Sequence, residues 1–369
     1  MATELDDYAI HQIVENMELV EGRNPRWVDE LWFHIGTTDG SLSVAGHMGV
    51  YPPTATMDAA ASVAHGGKQY DVRFGRRVDG DRDRREVGGI SAEILDPFRA
   101  WRFTLEPADG QAVSFDLEFR SEFQPMEVAT PVQHRRDGRQ VIWDLYQYSQ
   151  VGTASGSVTI EGEEIAVDGA IGARERSWGV RPVFGQVPHL GRPPSSIGSR
   201  SFWIAATNGP RAGWGWRIEP EGDHPSATGS LSDDTGRARV DGCMVGQHNE
   251  GDPLRISGAD LDLQYEMDGK RLKGGSVAFL DWEGGTHGLS LKPLTTIYAK
   301  GLGYGHPDFR HIEYKDGVAQ TETHDTTDVA AVASLLDNDS GHINPFAIEH
   351  FCEITAGDQT GYGVVRLSI

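Results

Sequence analysis

Residues 101–119 read WRFTLEPADGQAVSFDLEF, and this stretch has the pattern of a β-hairpin. Apolar side chains occupy every second position of both arms around Asp109-Gly110, as in strands that bury one face. Asp-Gly suits the positive φ angles of a tight turn. The same dipeptide begins at seven further positions: Asp39, Asp79, Asp137, Asp168, Asp241, Asp268 and Asp316. The sequence therefore predicts a mainly antiparallel β protein, built as barrels or sandwiches.

Composition and length extend this prediction to two domains. Gly accounts for 46 of the 369 residues, an excess over the usual ~7% that argues against a helical bundle. The chain is also longer than a single hydrophobic core usually supports. A stretch rich in Pro, Gly and Ser divides it nearly in half. We therefore expect one barrel over residues 25–187, a linker over 188–200 and a second barrel over 201–369.

Two helices are expected beside the strands. Apolar residues recur every four positions from Leu5 to Met17, which predicts an amphipathic helix within residues 1–24. A second helix is predicted late in the chain, where a Thr pair at 326–327 can cap an apolar run that ends at Leu336.

Charge and missing motifs exclude several classes of function. The formal net charge of −22 disfavours nucleic acid and anionic membrane surfaces as partners. The chain shows no secretory signal, no run of about 18 apolar residues and only two Cys, so we expect a cytoplasmic protein without a membrane span. It carries no nucleophile elbow, Walker loop or C-x-x-C motif, and no cofactor is expected. A homodimer is left open.

The histidines are scattered, and no metal site is expected from their spacing. His306 with His311, or His324 with Asp325 and Asp328, would form one only if the fold brought them together.

One segment stands out from the plain strands around it. Residues 168–182 read DGAIGARERSWGVRP, with three Arg, a Glu and a Trp among small residues. It resembles the R-D-H-S-W-G-x-R segment of the lipocalin-like double β-barrel family that includes carotenoid 1,2-hydratases (hydroxyneurosporene synthases) and AttH-like proteins. Residues 29–34, DELWFH, are similar to the opening E-x-W-Y-F strand of that family, and GYGVV at 361–365 is similar to its closing strand. Fungal Diels-Alderases look like distant relatives of the same architecture.

The resemblance implies two lipocalin-like barrels side by side, with an apolar cavity for an isoprenoid, a polyketide or a similar hydrophobic molecule. The family usually has Asp-His where this chain has Glu175-Arg176, so a mechanism that needs an imidazole there does not carry over.

The charged segment has two interpretations. In the first, Arg174, Glu175 and Arg176 form a salt-bridge network that plugs a barrel end, and Trp178 fills the core beneath it. In the second, Glu175 beside Trp178 has a raised pKa and transfers a proton, while an arginine binds a ligand oxygen.

Further candidates lie on strand faces and in one turn. Asp144, Tyr146 and Tyr148 share a face that suits a cavity wall, with Asp144 as acid or base and the phenols as orienting groups; a solvent-exposed face is the alternative. The turn that contains Trp282 and His287 offers a ligand-binding aromatic ring and a catalytic imidazole, or only a loop histidine.

The opening strand adds three residues with a shared face. Glu30, Trp32 and His34 alternate there, and such a strand in a closed barrel always has one inward face. A ligand-binding role and a structural role are both open for these side chains.

The sequence favours an enzyme that acts without a cofactor on a hydrophobic unsaturated molecule, by acid-base hydration, isomerisation or cyclisation. The alternative is a carrier or sensor that binds a similar ligand unchanged. A structural module is a third possibility if side chains fill both barrels.

Overall fold

The computed structural model describes most of the chain. The described residues are 2–11, 24, 27–78, 84–128, 134–137, 140–180, 199–220, 239–248, 251–266, 271–309, 311, 315, 319–328, 332, 335–336 and 347–368.

Strands make up almost all of the regular structure, and they run in chain order as follows: β1 Trp27–Gly36, β2 Leu42–Tyr51, β3 Thr56–His65, β4 Lys68–Arg77, β5 Glu86–Val87, β6 Ile90–Asp96, β7 Ala100–Leu105, β8 Val113–Arg120, β9 Met126–Glu127, β10 His134–Asp137, β11 Gln140–Ile160, β12 Glu163–Val180, β13 Ser199–Asn208, β14 Arg211–Pro220, β15 Arg239–Gly246, β16 Leu254–Glu266, β17 Arg271–Asp281, β18 Thr286–Tyr298, β19 Ala319–Asp325, β20 Ala347–Ala356 and β21 Gln359–Ser368.

The N-terminal half supplies twelve strands to one antiparallel sheet of 13, and β19 supplies the other. Its path is β19-β4-β3-β2-β1-β12-β11-β8-β7-β6-β5, with β9 and β10 paired to β11. The sheet curls around an apolar core that includes Phe33, Phe103 and Leu117. No hydrogen-bonded ladder joins its edge strands among the described residues. The prediction of a first closed barrel is therefore corrected to a curled open sheet, because β19 occupies the free edge of β4.

The C-terminal half closes as predicted. Strands β13 to β18, β20 and β21 form an eight-stranded barrel whose core includes Ile204, Phe279 and Val365. Inside it the ring of Phe279 lies against Gly215, where a Cβ atom would meet the ring at 2.6 Å. Glycine at position 215 therefore makes room for a large core side chain.

The sheet and the barrel share a buried junction. All ten residues of β1 and of β2 are buried, so both faces of these strands are covered. One face packs on the sheet's own core, and the other packs on the barrel, where Trp32 meets Trp203 edge to face at 5.3 Å. The sheet also includes β19, which follows six barrel strands in the chain and pairs with β4.

Asp-Gly marks turns at some of the predicted positions and not at others. Asp39-Gly40 and Asp109-Gly110 lie between paired strands, as expected. Asp168-Gly169 lies within β12 and Asp241-Gly242 lies within β15. A Cβ atom on Gly242 would come within 2.7 Å of the carbonyl oxygen of Trp214, so close backbone packing explains that glycine.

The predicted N-terminal helix is not found in residues 2–11. They form a single 3-10 turn over Glu4–Asp7, which Asp6 closes by accepting hydrogen bonds from the backbone and the hydroxyl of Thr3. Leu5, placed by the prediction on the buried face, is 53% exposed. The 3-10 turn forms in place of the predicted helix because it buries Asp6 and Asp7, whose carboxylates contact His11 and Arg174. Residues 12–23 lie outside the described part of the chain.

The late helix is described at three positions. Val332, Leu335 and Leu336 are helical and pack with Tyr298 and Ile348. The rest of the predicted helix, and residues 188–198 of the predicted linker, lie outside the described residues. Within the described part of the chain, no helix has the length and apolar character needed to cross a membrane.

Candidate functional site

The arginines of the charged segment bind the N-terminal residues. On β12, Arg174 forms an ion pair with Asp7 at 2.9 Å, and Arg176 pairs with Asp29 at 2.6 Å. Arg176 also donates to the backbone oxygens of Glu30 and Tyr8. Each of these guanidinium groups is buried, as are the two carboxylates.

A histidine completes this network. His11 lies between Asp6 and Asp29, with one ring nitrogen 3.0 Å from each carboxylate, and its ring stacks on Trp178 at 3.7 Å. Burial opposes a charge on His11, but Asp29 and Asp6 outweigh it and raise its pKa. Burial likewise opposes the charge on Asp29, and Arg176 and His11 lower its pKa. The ring and its carboxylates therefore stabilise each other in charged form.

The predicted carboxylate and tyrosine face also meets the N-terminal residues. Tyr148 donates its phenolic hydrogen to Asp7, and Tyr146 stacks on Trp178 with ring centroids 4.6 Å apart. Asp144 is half-buried near the start of β11, opposite Val180. Tyr146 and Tyr148 thus face the packed network that holds residues 2–11, rather than open solvent.

Glu175 points to the opposite face of β12, toward the barrel. There it lies beside Trp32 in register and is buried with Glu30 and His34. His34 bonds through Nδ1 to Glu349 of β20 at 3.0 Å, and Arg366 of β21 approaches the other oxygen of Glu349, also at 3.0 Å. Glu30, Trp32 and His34 therefore lie on one face of β1, as predicted, and this face forms the junction with the barrel.

Burial of Glu349 opposes its charge, but Arg366 and the hydrogen bond from His34 outweigh burial and lower its pKa. The guanidinium of Arg366 also lies over the rings of Trp32 and Trp203, at 4.2 and 4.9 Å from their centroids. This chain of charges and rings connects the sheet to the barrel.

Two further clusters of ionisable side chains lie on the same side of the sheet. The first joins His47 of β2, Asp58 of β3 and His311, all buried. The second joins Asp71 of β4 with Glu322 and His324 of β19. Burial and the neighbouring His47 lower the pKa of His311, so its ring is neutral at pH 7. Each cluster contains groups that can ligate a metal ion.

The barrel holds a cavity of about 460 Å³ at one end. Hairpin turns surround its opening, and apolar side chains form most of its wall; they include Ile204, Ala206, Met244, Phe279, Leu289 and Ile354. This volume and this wall are typical of sites for small hydrophobic molecules.

An acid-base pair lies at the rim of this cavity. His287 lines it, and its Nε2 lies 2.8 Å from Oδ2 of Asp281. The other oxygen of Asp281 accepts the backbone N–H groups of Glu283 and Gly285, both at 2.8 Å. The His287 hydrogen bond and those N–H groups lower the pKa of Asp281. Trp282 lies in the same turn, 77% exposed and outside the cavity lining.

The sequence pattern identified His287 but not Asp281 as its partner. They lie six positions apart in the chain, and only the hairpin brings their side chains together. It also missed His47 and Asp58. A signal for both exists, because an ionisable residue in a strand with two buried faces requires a partner or a ligand.

The fold and the cavity define a mainly β protein with a closed barrel that holds a mostly apolar cavity at one end. By sequence the chain belongs to a family of unknown function, DUF8625, whose profile matches residues 2–369. A comparison with the curated proteins gave no match.

Solved structures share the whole architecture at low sequence identity. An AttH protein of Nitrosomonas europaea is 13% identical with a TM-score of 0.55, over 96% of this chain and 98% of the other. Kievitone hydratase of Nectria haematococca is 12% identical with a TM-score of 0.51, over 98% and 97%. CghA, solved with Sch210972, is 12% identical with a TM-score of 0.53, over 95% and 90%. The resemblance seen in the sequence is thus confirmed for the fold.

Proposed function

We propose that this chain is an enzyme that binds a hydrophobic, unsaturated small molecule in the barrel cavity and transforms it by proton transfer. The observation that carries the proposal is the His287–Asp281 pair at the rim of an otherwise mostly apolar cavity. Hydration, isomerisation and cyclisation are the reactions that such a site supports. The protein supplies the acid-base group, and no redox cofactor takes part.

The wall of the cavity favours a hydrophobic substrate. Apolar side chains such as Phe279 and Leu289 stabilise an apolar molecule by removing its surface from water. A volume of about 460 Å³ accommodates a molecule of the size of a small isoprenoid or polyketide. The polar rim orients the one end of that molecule that carries a functional group.

His287 is the proposed proton-transfer group. Asp281 stays ionised at neutral pH because its pKa is lowered by the bond from His287 and by two backbone N–H groups. A carboxylate at that point fixes the tautomer of a neutral imidazole, with Nε2–H donating to Asp281 and the lone pair on Nδ1. Nδ1 can then take a proton from water or from an acidic C–H group and return it to carbon.

The solved neighbours support the reaction class by analogy of fold. One is named as a hydratase, and another was solved with a small molecule. A shared fold does not set the substrate, so the proposal rests on the cavity and its rim.

The test compares turnover by matched variants. Purified protein is incubated with extracts rich in isoprenoids and polyketides, and mass spectrometry identifies the compounds whose mass or retention changes. We expect His287→Gln and Asp281→Asn to lose at least about 100-fold in rate, because each removes the base or its tautomer. His248→Gln is the control, since His248 also faces a carboxylate but is 64% exposed.

Glu175→Gln and Asp144→Asn separate this proposal from the other candidates. If His287 is the base, both keep the rate of the natural protein. A loss of rate in Glu175→Gln with full activity in His287→Gln would show that the reaction takes place at the junction between the sheet and the barrel.

A carrier remains the second candidate function. It is favoured by the mostly apolar wall of the cavity, since apolar contacts with a few polar groups at the rim are enough to bind a ligand that is not changed. For a carrier, the extract compounds emerge unaltered, and His287→Gln changes their affinity only.

A further inference from the structure

We propose that His47, Asp58 and His311 form a binding site for a divalent transition metal ion, with Zn²⁺ as the first candidate. The three side chains come from β2, β3 and a segment that follows the barrel strand β18. Each is at most 4% exposed, and one donor atom from each lies within 4.8 Å of the other two. This site is separate from the cavity, and the proposal does not depend on the proposed function.

The distances within the cluster are those of ligands around an ion. Oδ1 of Asp58 lies 3.6 Å from Nδ1 of His47, and Oδ2 of the same carboxylate lies 3.4 Å from Nδ1 of His311. The contact with His47 is longer than a hydrogen bond, which ranges from about 2.7 to 3.2 Å. Zn²⁺ holds nitrogen and oxygen ligands at about 2.0 to 2.2 Å, and tetrahedral geometry then places neighbouring ligand atoms about 3.3 to 3.6 Å apart. The carboxylate of Asp58 thus faces both imidazoles at separations close to these, and one donor atom from each residue lies within reach of a single ion.

The ring of His47 points to the same conclusion. It is 2% exposed, and neither of its nitrogens makes a hydrogen bond with any described residue. A buried imidazole without such bonds is costly, because it has lost its contacts with water and gained none in return. An ion bound at Nδ1 would supply the missing contact.

The groups behind the cluster are arranged as a second layer of support. The other nitrogen of His47 faces Glu30 at 3.4 Å, so Glu30 occupies the position of the carboxylate in the carboxylate–histidine–metal arrangement of many zinc sites, although the two groups are not hydrogen-bonded in this structure. Tyr51 donates its hydroxyl hydrogen to Oδ1 of Asp58 at 2.9 Å, which leaves Oδ2 toward His311. Glu30 and Tyr51 thus orient ligands without being ligands.

The donor set and its surroundings suit Zn²⁺ bound by three protein ligands. Two imidazoles and a carboxylate are nitrogen and oxygen ligands that Zn²⁺ accepts. The ring of Tyr304 packs against both His47 and His311, with centroids 5.9 and 4.7 Å away. The ion would join the sheet, through β2 and β3, to the segment that carries His311.

The experiment measures metal bound by the full chain, purified without a metal-affinity step. We expect about one equivalent of Zn²⁺ by elemental analysis. After removal by a chelator, titration with Co²⁺ should give the strong visible absorption of a tetrahedral ion. Absence of both signals in the folded natural protein would overturn the proposal without any variant.

Variants locate the ion. His311→Gln should bind Zn²⁺ at least about 100-fold more weakly, and Glu30→Gln about 10- to 100-fold more weakly, as for other groups behind a ligand. His65→Gln, a half-buried histidine outside the cluster, is the control with unchanged affinity. If His324→Gln removes the ion while His311→Gln retains it, the ion belongs to the second cluster and the proposal is wrong.

Discussion

His350 shows at the scale of one residue how the barrel interior changes side-chain chemistry. Its Nε2 accepts the backbone N–H of Leu272 at 3.3 Å, and its Nδ1 lies 3.0 Å from the hydroxyl of Thr296. Burial, reinforced by the positive charge of Arg271 and by His34, lowers the pKa of His350 to about 3. The folded chain therefore keeps this imidazole neutral over a range in which the unfolded chain protonates it.

The sign of the pH dependence follows from that difference. Between about pH 6.5 and pH 3 the unfolded state binds one proton more at this site, so stability falls as the pH falls. The contribution is about 1.4 kcal/mol per pH unit. We expect the free energy of unfolding of His350→Gln, measured by urea denaturation between pH 6 and pH 4, to fall less steeply by roughly that slope. His65→Gln should keep the natural slope; an unchanged slope in His350→Gln would contradict the account.

At the scale of elements, β19 attaches the segment after the barrel strand β18 to the sheet. Glu322 of β19 forms an ion pair at 2.7 Å with Arg73 of β4, whose guanidinium is fully buried. His306 and His324, with help from Arg73, hold the pKa of Glu322 far below its usual range. This pair adds a charged contact to the strand ladder.

Removal of Glu322 should loosen the edge of the sheet. Glu322→Ala removes the carboxylate that is paired with the buried Arg73, and we expect a loss of about 2 kcal/mol in the free energy of unfolding. Thr321→Ala, at an exposed neighbouring position on the same strand, serves as the control. Equal midpoints of urea denaturation for the two variants would show that the pair does not hold the strand.

The sequence predicted the strands well, because a strand with one buried face shows an alternation of apolar and polar residues within its own few positions. Residues 101–119 form the predicted hairpin of β7 and β8 around Asp109-Gly110. The closure of the first half depended on long-range pairing, and a strand from beyond residue 300 took the edge position. No local pattern in 319–325 indicates that pairing.

The site was predictable only in part, for a similar reason. His287 was identified from its turn, whereas its carboxylate partner became visible only with the hairpin geometry. His311 lies more than 250 residues from Asp58 in the chain, and their contact depends on the way the barrel packs on the sheet. Arg174 and Arg176 stand out in the sequence because residues 168–182 are dense in charge. Their partners, Asp7 and Asp29, become known only from the fold.

At the scale of the whole molecule, the sheet and the barrel differ in whether side chains fill their interior. The sheet is filled by its own core, and its charged groups serve the N-terminal residues and the junction. The barrel retains a cavity at one end, and residues of its own core form part of the wall. The central claim is therefore that the barrel cavity binds the hydrophobic ligand.

The most direct measurement of that claim is a fluorescence titration with phenylnaphthylamine, a neutral apolar probe. The account predicts saturable binding to about one site on the natural protein. It predicts loss of that binding in Ala206→Phe, because the added ring occupies the cavity that Ala206 lines. Ala108→Phe, at an exposed loop position, should bind as the natural protein does. Equal probe affinity in Ala206→Phe and the natural protein would contradict the account.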